Sequence, residues 1–269
     1  MGYRKIVQYG NVVEIYDYEK DLKKKGGVDA LRAYRLMHPK ERNTKNTSPT
    51  LAKKRQDQIR IQSKAKGVYT RSKRSVKRSK DNFFRLCHHN NCLAQSIHFI
   101  TLTFAYDLTY KKASRYVSEF FRRVQTTFPE ISLSYISVPE LTKKGRLHFH
   151  LLVYGLPPET AERERETRNF QRQFRRGYVD ISLATYTSEG IAGYMAKYMA
   201  KAIADTKVET TRGYNCSRNI DRFTSAGSNN LSQYEDLIIP TEDIVDIEER
   251  QYDVPYLGTC RFTKLTKKL

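Results

Sequence analysis

Residues 131–154 read ISLSYISVPELTKKGRLHFHLLVY, and they carry the clearest secondary-structure pattern in the chain. Apolar and β-branched residues alternate with polar ones on both sides of the turn-forming KKG at 143–145. The pattern predicts one strand over 131–141 and an antiparallel partner over 146–154, which ends at the GLPP of 155–158. The hairpin is therefore the centre from which the neighbouring elements are predicted.

The sequence on both sides of the hairpin predicts further strands and helices. A spacing of two between apolar residues indicates strands, and a spacing of three and four indicates amphipathic helices. The predicted strands are Ile97–Phe104 and 178–184, and the predicted helices are 111–128, 159–175 and Ser188–Ala204. This mixture predicts a compact α+β domain.

The composition excludes several classes of protein. Of 269 residues, 39 % are hydrophobic and 12 % aromatic, which is too many for a wholly disordered chain. No apolar run approaches the 18 residues of a membrane span, and the amino terminus has no secretory signal. Four scattered cysteines indicate reduced thiols rather than a disulfide framework. We therefore expect an intracellular protein without a membrane partner, in the cytoplasm of a host cell, with a bacterial host favoured.

The charge favours a nucleic-acid partner. There are 49 Lys and Arg against 29 Asp and Glu, a net charge of +20, together with 19 Tyr and 12 Phe. Basic side chains attract phosphates, and aromatic rings stack on bases. This composition alone does not separate an enzyme from a passive binding protein.

Two segments carry charge of one sign. Residues 51–80 hold twelve Lys or Arg and one Asp, and residues 235–253 hold eight acids and one Arg. Both patterns also fit solvated faces, but a dense basic block in a basic chain favours DNA contact. The residues of the basic block predicted to bind DNA are Lys73, Arg74, Lys77 and Arg78. The sequence gives no strong account of the acidic segment.

The hairpin also carries a candidate metal site. Side chains two apart on a strand point to one face, so His148 and His150 project side by side, with Glu140 on the facing strand. A bare His-x-His is more often an exposed sheet face than a ligand pair. Here the alternating Leu147, Phe149 and Leu151 form the core face, so the histidines point away from the core. Two imidazoles and a carboxylate in that position predict a divalent metal site, for Mg²⁺ or Mn²⁺.

The last predicted helix carries a second chemical pattern. Its residues 193–201 read GYMAKYMAK, which places Tyr194, Lys197, Tyr198 and Lys201 on one stripe. Core aromatic residues would also give this spacing. However, a separate apolar stripe lies roughly opposite, and lysines oppose burial. The stripe therefore predicts tyrosine nucleophiles with lysines that stabilise a phosphate under attack.

The order and spacing of three motifs resemble those of HUH endonucleases that initiate rolling-circle replication. The motifs are FITLTF at 99–104, the His-x-His of the hairpin, and Y-x-x-K-Y-x-x-K on the helix. The doubled tyrosine is similar to the replication initiators (Rep) of small isometric single-stranded DNA phages. The resemblance covers about residues 97–201, plus Tyr214 and Ser217-Arg218-Asn219.

The resemblance implies a ferredoxin-like (HUH) antiparallel sheet flanked by helices, with a basic N-terminal extension. It implies a divalent metal on Glu140, His148 and His150, and nucleophilic Tyr194 and Tyr198 with Lys197 and Lys201 as the motif's lysines. It further implies nicking of single-stranded origin DNA to a 5′-phosphotyrosine and a free 3′-OH, with later strand joining. Further predicted DNA contacts are Lys143, Lys144, Arg146 and Arg218.

The expected domains are a basic extension over 1–82, the endonuclease over 83–222 and a partly acidic C-terminal segment over 223–269. The chain contains no P-loop motif, so we expect a helicase and a polymerase supplied by the host or by the genetic element.

Two other functions fit parts of the sequence. A transposase or relaxase uses the same chemistry, and the sequence does not separate them from a replication initiator. A non-catalytic single-stranded nucleic-acid-binding protein is the other alternative. Against it, Phe99 and Phe149 are predicted on the core face, and no K/R-G-F-x-F run is present.

A smaller cluster at 87–92 reads CHHNNC. Its spacing is irregular for zinc and it lacks a second ligand pair, so zinc is disfavoured. We expect His88 and His89 to lie in an exposed turn.

Overall fold

The computed structural model describes residues 3–19, 73–142, 145–204, 213–228, 243–254 and 257–268. These residues form four α-helices and two five-stranded antiparallel sheets. They divide into two compact units, one within 1–62 and 223–269 and the other within 63–222. The α+β class is confirmed. Among the described residues, no helix has the length and apolar character needed to cross a membrane.

The first unit is a sheet built from both ends of the chain. Its strands are β1 (Tyr3–Tyr9), β2 (Val12–Tyr18), β8 (Thr224–Ser228), β9 (Ile244–Val254) and β10 (Gly258–Lys267). The strand order is β8-β1-β2-β10-β9. None of the patterns identified in the sequence predicted this sheet, and the expected domain boundaries at 82 and 222 stay predictions.

The second unit contains the predicted hairpin. Its elements are α1 (Lys73–Leu93), β3 (Ile97–Phe104), α2 (Tyr110–Thr127), β4 (Ser134–Leu141), β5 (Leu147–Tyr154), α3 (Glu164–Phe174), β6 (Gly177–Leu183), α4 (Ser188–Ala204) and β7 (Asn215–Cys216). The strand order is β6-β3-β5-β4-β7. All predicted elements of this unit are present, except that the 159–175 helix is divided into a 3₁₀ turn at Pro158–Ala161 followed by α3.

One face of the second sheet forms the main hydrophobic core. The side chains of Leu102, Phe104, Phe149 and Leu151 on this face are almost completely buried. Helices α2 and α3 cover them with residues such as Phe120, Phe170 and Phe174. This arrangement confirms that the face opposite the histidine pair is a core face.

Two expectations about side-chain placement were wrong. Phe99 pairs with Leu152 and lies on the face of His148 and His150, because it alternates with core residues Ile100 and Leu102. His88 and His89 lie in α1 rather than in an exposed turn; the side chain of His88 is buried and that of His89 is half-buried. The Cys/His cluster at 87–92 does not bring three potential metal ligands together. Among the described residues, the one group that does so is in the hairpin.

His98 gives the second unit a pH-sensitive core. Its side chain is fully buried between the cross-strand partners Val153 and Leu183. Burial disfavours the imidazolium and lowers the pKa of His98. A lowered native pKa means that the unfolded chain takes up a proton before the native protein does as the pH falls below about 6.5.

We therefore expect the free energy of unfolding to fall between about pH 7 and pH 5, with His98 contributing up to about 1.4 kcal/mol per pH unit. His98→Leu should make this slope shallower, as measured by urea unfolding at several pH values. Val117→Ala, a truncation in the core on α2, is the control, since it should lower stability at every pH and leave the slope unchanged. An unchanged slope in His98→Leu would contradict the assignment.

Candidate metal and tyrosine site

The hairpin register brings the three predicted ligands together. Glu140 on β4 is the direct cross-strand partner of His148 on β5, and His150 lies two residues further on the same face. The turn that fixes this register closes through a hydrogen bond from the backbone N–H of Gly145 to the carbonyl of Thr142. Gly145 has a φ of +80°, which a residue without a β-carbon adopts at little cost.

The ligand atoms meet at one carboxylate oxygen. Glu140 Oε2 lies 3.0 Å from His148 Nε2 and 2.8 Å from His150 Nε2. The three side chains are only 14–19 % exposed. All three ligand atoms lie within 4.8 Å of one another. This is the geometry of one shared site rather than of two separate exposed histidines.

The donor set fits a metal ion. Neighbouring ligands of an ion bound at about 2.1 Å are about 3 Å apart, close to the observed Glu140–histidine distances. Thr101 Oγ1 lies 3.5 Å from His150 Nδ1, near enough to orient the ring from behind. Glu140, His148 and His150 therefore form a group that can hold a metal ion.

Electrostatics keep this group in the form that binds cations. Burial by itself would raise the pKa of Glu140, but hydrogen bonds from His150, Lys201 and His148 outweigh it and hold the pKa below its ordinary value. Burial lowers the pKa of His150, although Glu140 opposes the shift. An ionised carboxylate beside a neutral imidazole is the state that a divalent cation requires.

Helix α4 covers this face of the sheet with its predicted apolar stripe. Ala192, Met195, Ala196 and Met199 are buried. Helix α1 packs against α4, and Asn91 of α1 donates a hydrogen bond of 2.9 Å to the carbonyl of Ser188 at the start of α4. Asn91 Oδ1 also accepts a hydrogen bond from Tyr154 of β5. A buried amide thus ties the tyrosine helix to the sheet.

The two tyrosines of α4 lie together beside the ligand group. Their hydroxyl oxygens are 2.7 Å apart, within hydrogen-bonding distance. The ring of Tyr198 lies 3.9 Å from the ring of His150, and Tyr194 packs edge-on against Phe99 at 5.4 Å. Tyr194 is 47 % exposed. One hydroxyl pair therefore lies next to the candidate metal ligands and remains open to solvent.

The two lysines of the stripe are not equivalent. Lys201 Nζ lies 3.0 Å from Glu140 Oε1 and 5.3 Å from the centre of the Tyr198 ring. Lys197 is exposed, and no ion pair is recorded for it in the described part of the chain. Lys201 thus acts on both the ligand group and Tyr198.

Tyr198 is held in its neutral form. Burial raises its pKa, and the hydrogen bond to Tyr194 and the negative charge of Glu140 raise it further. The hydroxyl therefore keeps its proton at neutral pH, and it has to lose that proton as a new bond forms.

The predicted DNA contacts are spread along the chain. Arg146, Arg218, Lys77 and Arg78 are all exposed. Of these, Arg146 comes directly before β5, close in sequence to His148. Lys73 and Arg74 belong to α1, but their side chains lie outside the described part of the structure, as do Lys143 and Lys144 altogether.

Sequence reasoning missed three residues of the site. Thr101 and Phe99 share the histidine face because β3 pairs with β5 in antiparallel register. Asn91 contributes indirectly, through its hydrogen bond to Ser188 at the start of α4. It lies on α1, a helix that no apolar periodicity predicted. The alternation of IHFITLTF carried a signal for the first two, but only the pairing register decides which set of residues faces the site.

One of three comparisons with known proteins gives a match, and it covers the segment that builds this site. Residues 97–203, about two fifths of the chain, match the model of the family Replication-associated protein ORF2/G2P. A search of curated proteins and one of solved structures find no match. The matched segment runs from β3 to α4 and includes Glu140, the histidine pair and the tyrosine helix. Over the segment that builds its candidate site, this chain is thus similar to the replication-associated proteins ORF2/G2P, which fits a replication initiator.

Proposed function

We propose that this protein is an HUH-type initiator of rolling-circle replication that nicks single-stranded origin DNA by tyrosine transesterification. One observation carries the proposal: a pair of tyrosine hydroxyls lies beside the Glu140, His148 and His150 group, and Tyr198 contacts the His150 ring. A passive binding protein has no use for a semi-buried ligand group next to two hydroxyls. The similarity to replication-associated proteins favours an initiator over a transposase or a relaxase.

The proposed reaction exchanges one phosphate ester for another. The tyrosine oxygen forms a bond to phosphorus while the bond from phosphorus to the 3′ oxygen breaks. The tyrosine gives up its proton, and the 3′ oxygen gains one. The products are a 5′-phosphotyrosine and a free 3′-OH of similar energy, so the reaction needs no ATP and can later be reversed to join strands.

The metal proposed for Glu140, His148 and His150, Mg²⁺ or Mn²⁺, would polarise the phosphate and stabilise its developing charge. The chain's own residues do the rest. Lys201 holds the carboxylate of Glu140 and supplies positive charge beside Tyr198. The hydroxyl of one tyrosine can donate a hydrogen bond to the oxygen of the other as it loses its proton.

Two tyrosines one helical turn apart support successive cleavages. Because both hydroxyls lie at the same site, the second can attack while the first still holds a DNA end. This arrangement suits an enzyme that has to start and finish a displaced circle.

The metal assignment predicts that His148→Ala/His150→Ala loses both cleavage and stabilisation by Mn²⁺. In the unchanged protein, Mn²⁺ at 100 times its dissociation constant should add about 2.7 kcal/mol of stability, measured as a higher melting temperature. His89→Ala removes a half-buried histidine of α1 and should retain both properties. Cleavage by the double variant in excess chelator would show that the assignment is wrong.

The nucleophile assignment predicts that Tyr194→Phe/Tyr198→Phe forms no covalent DNA adduct but still binds single-stranded DNA, because only two hydroxyls are removed. Each single variant should still form an adduct more slowly, on the remaining tyrosine. A denaturing gel followed by mass spectrometry of the linked peptide measures this. Tyr186→Phe, at an exposed tyrosine just before α4, is the control. If the two single variants yield the same linked tyrosine or none, the two-nucleophile scheme fails.

The different contacts of Lys201 and Lys197 give a third test of the proposed function. Lys201→Met should slow cleavage about 100-fold, since it removes a cation that contacts Glu140 and lies over Tyr198. Lys197→Met, the matched change one turn earlier, should slow it less than about tenfold. Single-turnover rates at saturating Mn²⁺ measure the difference. Equal effects would indicate that both lysines act on the substrate alone.

A further inference from the structure

Helix α2 and the two residues between α3 and β6 carry a group of arginines that the proposed reaction does not use. We call it the arginine surface, and its members are Arg115, Arg122, Arg123, Arg175 and Arg176. Arg115, Arg122 and Arg175 are exposed. The surface belongs to the helical layer on the core face, not to the layer that carries the tyrosines.

The charge of this surface is largely unbalanced. Glu119 is the carboxylate whose charge acts on Arg123 and Arg176, and it is paired with Arg115 at 2.8 Å. Burial lowers the pKa of Arg123, and the positive charges of Arg175, Arg176 and Arg122 lower it further. Cations crowded closely enough to disfavour one another's charge form a ready site for anions.

Several of these side chains are held in place. Arg123 donates two hydrogen bonds, of 2.9 and 2.7 Å, to the carbonyl of Gln173 at the end of α3. Arg176 lies 3.6 Å from the centre of the Tyr116 ring and donates a hydrogen bond to the Tyr106 hydroxyl. Guanidinium groups fixed in this way lose little entropy when they bind phosphate.

Two exposed aromatic rings accompany Arg176, one in contact with it and one two residues further along the chain. Tyr178, two residues after Arg176, is 63 % exposed, and Tyr106, which Arg176 contacts, is 43 % exposed. Tyr178 lies on β6, an edge strand of the sheet. Large exposed rings beside fixed cations are the combination that binds unpaired bases and their phosphates.

Tyr178 lies on the sheet face opposite to the arginine surface, and the sheet connects this ring to the candidate active site. Tyr178 pairs with Thr103, Thr103 pairs with His148, and His148 pairs with Glu140, so the four side chains form one cross-strand row. Tyr178 is two strand spacings, about 10 Å, from His148. Asp180, the next residue on that face of β6, is exposed. Its negative charge repels phosphate, which directs a single strand of DNA past Tyr178 towards Arg176.

We propose that single-stranded DNA adjoining the cleaved phosphate leaves the site across β6, stacks a base on Tyr178, and places its phosphates on the arginine surface. This assignment rests on the proposed function, because it extends the path of the same substrate. A single strand fits better than a duplex, because the faces of paired bases are covered by their neighbours and are not free to stack on Tyr178 or Tyr106.

The test measures binding of a fluorescent 30-nucleotide oligo-dT to the full chain at several salt concentrations. Arg122→Ala/Arg175→Gly removes two charges, and glycine suits the left-handed backbone of residue 175, whose φ is 57°. Binding should weaken about tenfold at 0.1 M salt, and the slope of log affinity against log salt should become shallower by about 1.4. Arg165→Ala/Arg168→Ala, also exposed on α3, removes the same charge and should change the slope by less than half as much.

A second variant isolates the aromatic contact. Tyr178→Ser should weaken oligo-dT binding about tenfold at every salt concentration without changing the slope, since stacking releases no counterions. Binding of a 30-base-pair duplex should not change. If Tyr178→Ser binds oligo-dT normally, or weakens the duplex equally, the proposed path is wrong.

The outcomes separate this inference from the proposed function. If the arginine variant and its control bind oligo-dT alike while covalent adducts still form, the proposed DNA path is wrong and the proposed nuclease function is retained. If both arms of the binding test give the expected losses but no tyrosine forms an adduct, the surface binds single strands in a protein that does not cleave them.

Discussion

The antiparallel register between β4 and β5 determines the geometry of the candidate site. It places Glu140 opposite His148 and puts His150 on the same face. A slip of one residue would turn both imidazoles into the core and expose Phe149 and Leu151. The core residues therefore hold the register in place, and the hydrophobic free energy of the opposite face keeps three polar ligands together. Packing and chemistry use the two faces of the same strand.

Helix α4 determines the orientation of the two tyrosines. Its apolar stripe buries Met195 and Met199, so the helix can present Tyr194 and Tyr198 in one orientation only. The contact of Lys201 with Glu140 joins the helix to the ligand group by charge as well as by packing. The carboxylate thus serves two histidines and one lysine, which makes it the polar centre of the site.

Much of this unit could be predicted because its local patterns agree with its tertiary structure. The alternation of LHFHLL in β5 fixed which side chains share a face, and the spacing within GYMAKYMAK separated a packing stripe from a polar one. The position of Phe99 could not be predicted in the same way. Both sides of β3 are covered by helices, so alternation on that strand does not identify the core face. In the sheet formed by β1, β2, β8, β9 and β10, the β1–β8 and β2–β10 pairings join residues more than 200 positions apart, and local sequence carries no record of them. The β1–β2 and β9–β10 pairings are local hairpins, and the Gly10-Asn11 turn between β1 and β2 was a signal that went unused.

Helix α1 has a consequence for geometry over a longer range. It is one continuous rod of 21 residues, with Lys77 and Arg78 near its first turns and Asn91 near its last. Asn91 is bonded to the residue that begins the tyrosine helix. Fourteen residues of α-helix span about 21 Å, and a helix resists both stretching and compression along its axis. The helix therefore fixes the distance along its axis between Lys77 and the residue that anchors the start of the tyrosine helix.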